Sequence, residues 1–544
     1  MTTKGQLLKS ASVVALVTVI SRICGYLRDQ RIALLLGTSP AADSFILAFR
    51  IPGLIRRMAG EGSLGASFIP VFAGYLHDES APKAWAFAQK IFWDVAFALA
   101  ALALVGTVFS RQLIGFLTIF GAQQGHWQLA VYLNRIIFPA IVFIGLAALA
   151  ASILNSFHMF ALPAATPIFF NLAVIACSFA VFYRPILRWA PPEYRSPAIA
   201  LAVGILLGAV VQLGMQIPAL VRRGMNLLPR ISLSDPGVRK VGRLAAPAFF
   251  GMGVYQINMF IDTIFAASSR MPEGSITSLY VADRVMQLAL GSYAVAMSTA
   301  LLPAMSHQWA AGQWAEMKRT FGFSLRIVSF ITIPAAIGLI LLRQPIIQVL
   351  FQHGRFTPES TALTARALLY YSLGLPAFAG MKLIAPMYYA THDTATPAKT
   401  GACALGLNIA LNGLFLLFFF RALSNGSPAL ASSIAAYFNF GALFFLFRRR
   451  YGQLGARGLL QSFCKIAACA VGMGLAAYGV LHVSHFEEVR HVLTQIGLLA
   501  GMIAAAVCIY FALAWLLRCE ELGEFFLLLR KAEPPTAEAV ESGA

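Results

Sequence analysis

Apolar runs of about 20 residues follow one another along almost the whole chain, separated by shorter stretches that hold many of its prolines, glycines and charges. A run of that length, coiled at about 1.5 Å per residue, crosses a hydrocarbon core about 30 Å thick. The pattern predicts helices at 10–36, 41–74, 87–109, 130–154, 160–183, 197–221, 242–267, 276–304, 321–342, 362–390, 399–420, 428–447, 461–484 and 492–517. The fold class expected is therefore an all-α polytopic membrane protein with 14 transmembrane helices.

The pattern also repeats. The stretch "FRIPGLIRRMAGEGSLGASFIPVFAGYL" at 49–76 aligns loosely with "DRVMQLALGSYAVAMSTALLPAMSHQW" at 283–309. Each has an Arg near its start, small residues midway and an apolar-apolar-Pro step about 20 residues on. A second match pairs 138–167 with 375–397. The matches keep chain order, which predicts a tandem duplication. The expected lobes are 1–221 and 242–447, six helices each, joined by a basic linker at 222–241. Two further helices at 461–517 have no counterpart, and 518–544 forms a tail. Two like lobes facing each other across a bilayer suit alternating access to a central site.

Composition supports lipid as the solvent. Of 544 residues, 59% are hydrophobic and 12% charged, with a mean hydropathy of +0.74; soluble domains carry about 25% charged residues. No short apolar core with a small-residue cleavage site opens the chain, so no cleaved signal peptide is expected. The cysteines, Cys24, Cys177, Cys403, Cys464, Cys469, Cys508 and Cys519, lie mostly in apolar segments without CxxC pairing and read as small apolar packers. Basic loops at 222–243 and 448–458, with Lys4 and Lys9 before the first span, predict that both termini lie on the cytoplasmic side. The net charge is +19, without a basic soluble domain that would argue for nucleic acid. Arg outnumbers Lys by 31 to 10, and several Arg lie inside the spans. The planar guanidinium fork suits phosphate and carboxylate, which hints at an anionic substrate.

An ionisable side chain deep in a membrane costs about 2.5–3.5 kcal/mol or more, so it normally faces a cavity or a partner. The first span holds Arg22, Arg28, Asp29 and Arg31 in "SRICGYLRDQRIALLLG". Gly25 permits a bend there, Arg28 is the candidate anion ligand, and Asp29 its orienting acid. A self-neutralising Arg–Asp pair is the plainer alternative, and Arg31 has no evident partner. The second span carries Asp43, placed to cap its helix, then Arg50, Arg56, Arg57 and Glu61. Arg50 could equally snorkel to an interface. Asp283 and Arg284 fall where the second lobe echoes this region; Arg284 is either a cavity ligand or a local partner of Asp283. Asp262 is an isolated acid in the seventh span, and with Asn408 and Asn412 it forms a candidate Na⁺ set; interhelical hydrogen bonding is the alternative. His158, His353 and His392 lack metal-ligand spacing, and there is no Walker loop, GxSxG elbow or DDxxD cluster. The reading is a transporter, not an enzyme.

At this level of detail the residues carry a resemblance. "SRICGYLRDQRIALLLG", "ADSFILAFRIPGLIRRMAGEGSLGASFIPVF", "YVADRVMQLALG" and "VLFQHGRFTPESTALTARALLYYSLGLPA" resemble the lipid II flippases of the MurJ (MviN) family, within the multidrug/oligosaccharidyl-lipid/polysaccharide exporter superfamily. The likeness runs from about residue 5 to 515. It implies a MATE-like, V-shaped transporter of 14 helices with a cationic central cavity and a lipid-tail groove beside the last two helices. It implies as substrate lipid II, the undecaprenyl-pyrophosphate-linked disaccharide-pentapeptide, moved to the periplasmic leaflet of a bacterial inner membrane, with membrane lipids and other cell-wall synthesis proteins as further partners. By motif position, Arg22, Arg28, Asp29, Asp43, Arg56, Glu61 and Arg284 match positions of substrate binding or activity. Asp262 fits the family's sodium site, whereas Asn412 stands where some members have Asp. No other cofactor is implied, and coupling to Na⁺ or H⁺ stays open. The rival readings are a flippase for another polyprenyl-linked oligosaccharide and a drug/cation antiporter. An antiporter of cations would line its cavity with acids rather than Arg.

Overall fold

The computed structural model describes residues 3–58, 64–76, 81–121, 126–232, 235–291, 294–452, 456–484, 486, 489 and 491–532, and all regular structure among them is helical. Several of the expected spans are composite. The second comprises α2 (Pro40–Met58) and α3 (Leu64–Gly74), after α1 (Thr3–Leu36). α4 (Ala81–Val108) is followed by the short α5 (Ser110–Leu117). The fourth span is α6 (His126–Ile137) and α7 (Ala140–Ser156), bent by 40° beside Pro139; the fifth is α8 (Ala161–Cys177) and α9 (Ala180–Trp189), bent by 73°. α10 (Pro197–Gly214), α11 (Ile217–Arg222), α12 (Pro236–Ala266), α13 (Ser275–Gly291), α14 (Ala294–Ala310), α15 (Trp314–Leu341), α16 (Arg343–Phe351) and α17 (Pro358–Ala390) come next. α18 (Ala395–Leu414), α19 (Phe420–Leu423), α20 (Ser427–Tyr451), α21 (Ala456–Val483), α22 (Val492–Leu516) and α23 (Glu520–Ala532) complete the chain.

Among the described residues seven helical stretches are long and apolar enough to cross a membrane, nine if each bent pair counts as one span. The charge-bearing α1, α2 and α12 are not among them.

The helices sort into two compact units, one of residues 1–278 with 351–360, the other of 279–350 with 361–544. The division thus falls beyond the basic segment at 222–241 rather than in it. That segment does not hang free: the α4 face grips it. Gln89 donates to the Leu228 carbonyl (2.7 Å), the Trp93 indole to that of Leu227 (3.1 Å), Asp94 accepts from the Ser232 N–H (2.8 Å), and Lys90 pairs with Asp235 (2.7 Å). Asp235 also caps α12, accepting from the Gly237 N–H (2.9 Å) ahead of Pro236 at the first helical position. α12 then packs on α2, α3 and α4, over an apolar core that includes Phe68, Phe72, Phe87, Leu149, Ile153 and Leu220.

Asp235 yields a pH-dependent expectation. Desolvation pushes its carboxyl up, but the hydrogen bond and charge of Lys90 and the N–H groups of Gly237 and Val238 outweigh it and hold the group below the usual range. A depressed folded-state value stabilises the protein above the unfolded value of about 3.9 and is lost as pH falls through the folded one. Asp235→Ala should cost about 1 kcal/mol at pH 7, read as a lower Tm in detergent, and the gap to the parent should shrink as the pH drops below about 4.

In the second unit α21 packs on α15 and α22 on α21. α22 is apolar all round, yet only one stripe, Gln495, Leu499, Met502, Ala506, Tyr510 and Ala514, is buried, while Leu493, Trp515 and Leu516 face outward. That split is what lipid allows, since lipid tails and protein interior are about equally apolar. The expected tail is partly helical: α23 docks on α15, where Arg326 meets Glu520 (3.1 Å), Glu524 (3.8 Å) and Glu521 (4.0 Å).

The duplication extends through the two halves of the chain. His158 and His392 both have positive φ (60° and 57°) and end α7 and α17 alike. In each turn the His N–H reaches back three residues (to Asn155, to Tyr389) and the next N–H reaches back five (Met159 to Leu154, Asp393 to Tyr388), the double bond that closes a helix through a left-handed residue. The following helices start at Ala161 and Ala395, the same interval apart, and that interval also relates Arg50 to Arg284.

Candidate functional site

α1 is helical without a break through Gly25. A glycine in a membrane helix keeps its backbone hydrogen bonds, and here its value is proximity: a Cβ at Gly25 would lie 3.6 Å from the Asn171 amide nitrogen of α8. Asn171 brackets this part of α1. Its oxygen accepts from Arg28 Nη1 (3.0 Å) and its nitrogen donates to the Ser21 carbonyl (3.4 Å). Side chains one apart on a helix point about 100° away from each other, so the Arg28 guanidinium folds back to reach Asp29, through Nε (2.9 Å) and Nη2 (2.6 Å) to the same oxygen. Arg28 is 12% exposed and Asp29 8%. The acid thus bonds the guanidinium and neutralises it locally. Arg22, predicted to share a stripe with Asp29, is exposed and has no ion-pair partner among the described residues.

Arg31 now has an explanation. Its Nε donates to the Ser178 hydroxyl (3.0 Å), Nη2 to the Ser178 carbonyl (3.3 Å), and its guanidinium lies 4.4 Å from the Phe179 ring. Ser178 closes the C-terminus of α8, where exposed carbonyls carry partial negative charge and favour a cation.

Asp43 caps a helix, but not its own. One carboxylate oxygen accepts from the Gly274 N–H (2.9 Å), the other from the Thr277 N–H (2.8 Å) and hydroxyl (2.6 Å), at the start of α13. Around it three loops interlock. Gly37 and Gly274 both have positive φ (60° and 80°); a Cβ would stand 2.2 Å from the Arg355 carbonyl oxygen and 2.3 Å from that of Thr38. The Arg355 N–H donates to the Leu34 carbonyl (3.0 Å), and the hydroxyls of Thr38 and Ser360 are 2.7 Å apart. The seam therefore binds the α1–α2 turn to residues 274–277 and 354–360.

Arg50 donates through Nε to the hydroxyl of Thr263, itself bonded to the Met259 carbonyl. That sets a cation against the residue next to Asp262, which is 1% exposed, so the acid is less isolated than its sequence neighbours imply. The side chains of Arg56 and Arg57 and the whole of Glu61 lie outside the described residues. Arg284 belongs to the second unit. It is half-buried over the Tyr280 ring (5.0 Å) and donates to its hydroxyl (3.2 Å), while Asp283 accepts from Gln287. Asn412 donates to both oxygens of Asn408 (3.1 Å each), and Asn408 to Ser432 (3.2 Å). No group of three His, Cys, Asp or Glu that could hold a metal occurs among the described residues. The structure therefore joins Arg28 to Asp29 and gives Asp43 a separate setting. Sequence reasoning missed Asn171, whose signal was a lone amide in the apolar run "IFFNLAV".

The family model described as lipid II flippase MurJ matches residues 32–498. A probable lipid II flippase MurJ of Vibrio cholerae is 34% identical over 454 residues, 81% of this chain and 83% of that protein. The lipid II flippase MurJ of Burkholderia cenocepacia is 31% identical over 510 residues, 92% and 95% of the two chains. A solved lipid II flippase MurJ in an inward closed conformation superposes with a TM-score of 0.75 at 25% identity, covering 92% of this chain and 97% of its own. An inward-facing multidrug resistance MATE transporter of the MOP superfamily shares the fold at 15% identity, with a TM-score of 0.66 over 82% and 98%. The chain belongs to the lipid II flippase MurJ family.

Proposed function

We propose that this protein flips lipid II from the cytoplasmic to the periplasmic leaflet of a bacterial inner membrane, both termini cytoplasmic, by alternating access. The observation that carries the reading is family membership across nearly the whole chain. The chemistry agrees. A pyrophosphate needs a permanently charged forked ligand, and Arg28, already oriented by Asp29 and Asn171, is the group we assign to it, with Arg22, Arg56 and Arg284 as further cations and Asp43 and Glu61 as supporting acids. Moving negative charge outward, away from a negative interior, gains about 2.3 kcal/mol per charge per 100 mV, so an anionic headgroup could drive its own transfer. For the return of the empty carrier we propose uptake of Na⁺ or H⁺ at Asp262. Transport indifferent both to Na⁺ replacement and to pH would remove that step.

The test is complementation. Expressed as the sole copy in cells depleted of their own flippase, the chain should restore growth and bring lipid II to the outer leaflet, measured by a periplasmic probe of its headgroup. Growth without externalised lipid II would point to another polyprenyl-linked oligosaccharide.

A further inference from the structure

One cationic cavity lies away from every residue assigned above. It opens in the second unit, where the end of α17, the start of α18 and the end of α20 meet, with a volume of about 430 Å³. Its lining comprises Tyr388, Thr396, Lys399, Thr400, Arg449 and Arg450, with Leu446. The single acid beside it, Asp393, is already engaged. It accepts from the Thr396 N–H (2.9 Å) and hydroxyl (2.7 Å) and pairs with Arg450 (2.8 Å). Lys399 and Arg449 have no hydrogen-bond or ion-pair partner among the described residues. Two exposed, uncompensated cations therefore line an open recess, next to hydroxyls and to an Arg fixed by its acid.

The internal duplication shows that this is not a requirement of the fold. The interval that carries His158 onto His392 carries Met159 onto Asp393 and Ala165 onto Lys399; at α10 and α20 the shared Ser-Pro-Ala start, 196–198 and 427–429, sets an interval three residues shorter, which carries Pro218 onto Arg449 and Ala219 onto Arg450. In the first copy Met159, Leu162 and Ala219 pack against the apolar core. The first copy fills with apolar packing the place that the second leaves open and lines with positive charge. An Arg-rich, Lys-bearing recess with hydroxyl donors suits a phosphate ester, to which guanidinium and ammonium groups both donate.

We propose that this recess is a binding site for a phosphate-ester anion, the headgroup of an acidic phospholipid or a free phosphate-bearing solute, held by Lys399 and Arg449 with Arg450 and Thr396 in support. Neither Lys399 nor Arg449 belongs to the transport machinery assigned above.

The full chain in detergent is titrated in parallel with short-chain phosphatidylglycerol, with short-chain phosphatidylcholine as neutral control, and with pyrophosphate. Binding is read by native mass spectrometry and by thermal shift. Phosphatidylglycerol binding well above that of phosphatidylcholine assigns the lipid as source; pyrophosphate binding alone, lost in the variant of Lys399→Ala with Arg449→Ala, assigns a free solute. In either case Lys399→Ala with Arg449→Ala should weaken binding at least about tenfold, the equivalent of about 1.4 kcal/mol, and raised salt should weaken the parent's binding. Lys399→Arg with Arg449→Lys preserves the charges and should restore most of the affinity, which separates ligand loss from misfolding. Binding of neither anion by the parent, or equal affinity in the parent and the double alanine variant, overturns the proposal.

Discussion

Arg28→Ala is expected to reduce lipid II externalisation by about 100-fold in cells that depend on this chain, the loss of charge-assisted hydrogen bonds worth about 1.5–3 kcal/mol each. The variant also strips a buried carboxylate of the guanidinium that bonds it, a change that costs about 3–5 kcal/mol when a buried pair is broken. Two companions separate ligand from structural partner. Arg28→Ala combined with Asp29→Ala removes the stranded acid along with the base. If Arg28 serves only to neutralise Asp29, the double variant recovers both thermal stability and flipping. If Arg28 grips the anion, the double variant recovers stability alone, which is the expected result. Arg28→Lys keeps the charge but offers an ammonium in place of a fork that reaches Asp29 and Asn171 together, so it should flip at a reduced rate.

The parts of this site that could be read from the sequence are those whose physics is local or priced by the membrane. Charges in an apolar run are expensive wherever they point, so Arg28, Asp29 and Arg31 stood out before any partner was known. The duplication was visible for the same kind of reason, because a turn that needs the same residues leaves the same letters: His158 and His392 each precede a proline by five positions. What stayed hidden was long-range. Arg31 meets Ser178 and Arg28 meets Asn171 because α1 lies along α8, and nothing in the first 40 residues specifies that neighbour. Asp43 sits in the first turn of α2, where its charge suits its own helix; only the fold reveals that its oxygens serve Gly274 and Thr277. The basic segment after α11 read as a linker because its charge is local, whereas its docking depends on Gln89, Lys90, Trp93 and Asp94 over a hundred residues earlier.

Thr38→Cys with Ser360→Cys, in a background lacking the native cysteines, is expected to stop flipping under oxidising conditions and to regain it when a reductant is added. The two hydroxyls are 2.7 Å apart, so their Cβ atoms lie within the range of about 3.5–4.5 Å that a disulfide spans. The bond would pin a seam that is already tight, with the Leu34 and Arg355 backbones joined and the Gly37 and Gly274 backbones pressed against carbonyl oxygens. Alternating access requires each end of the path to part in turn. If the seam closes one end, a covalent stitch across it holds the transporter on a single side, and the block should be as complete as the extent of cross-linking. Reversal by reductant excludes misfolding as the cause. Full transport by the cross-linked Thr38–Ser360 protein would mean that the seam is permanent scaffold and that access alternates elsewhere. The glycines give a reason to expect the block. Packing that admits no Cβ has no intermediate spacing that keeps its contacts, so the seam is either shut or apart.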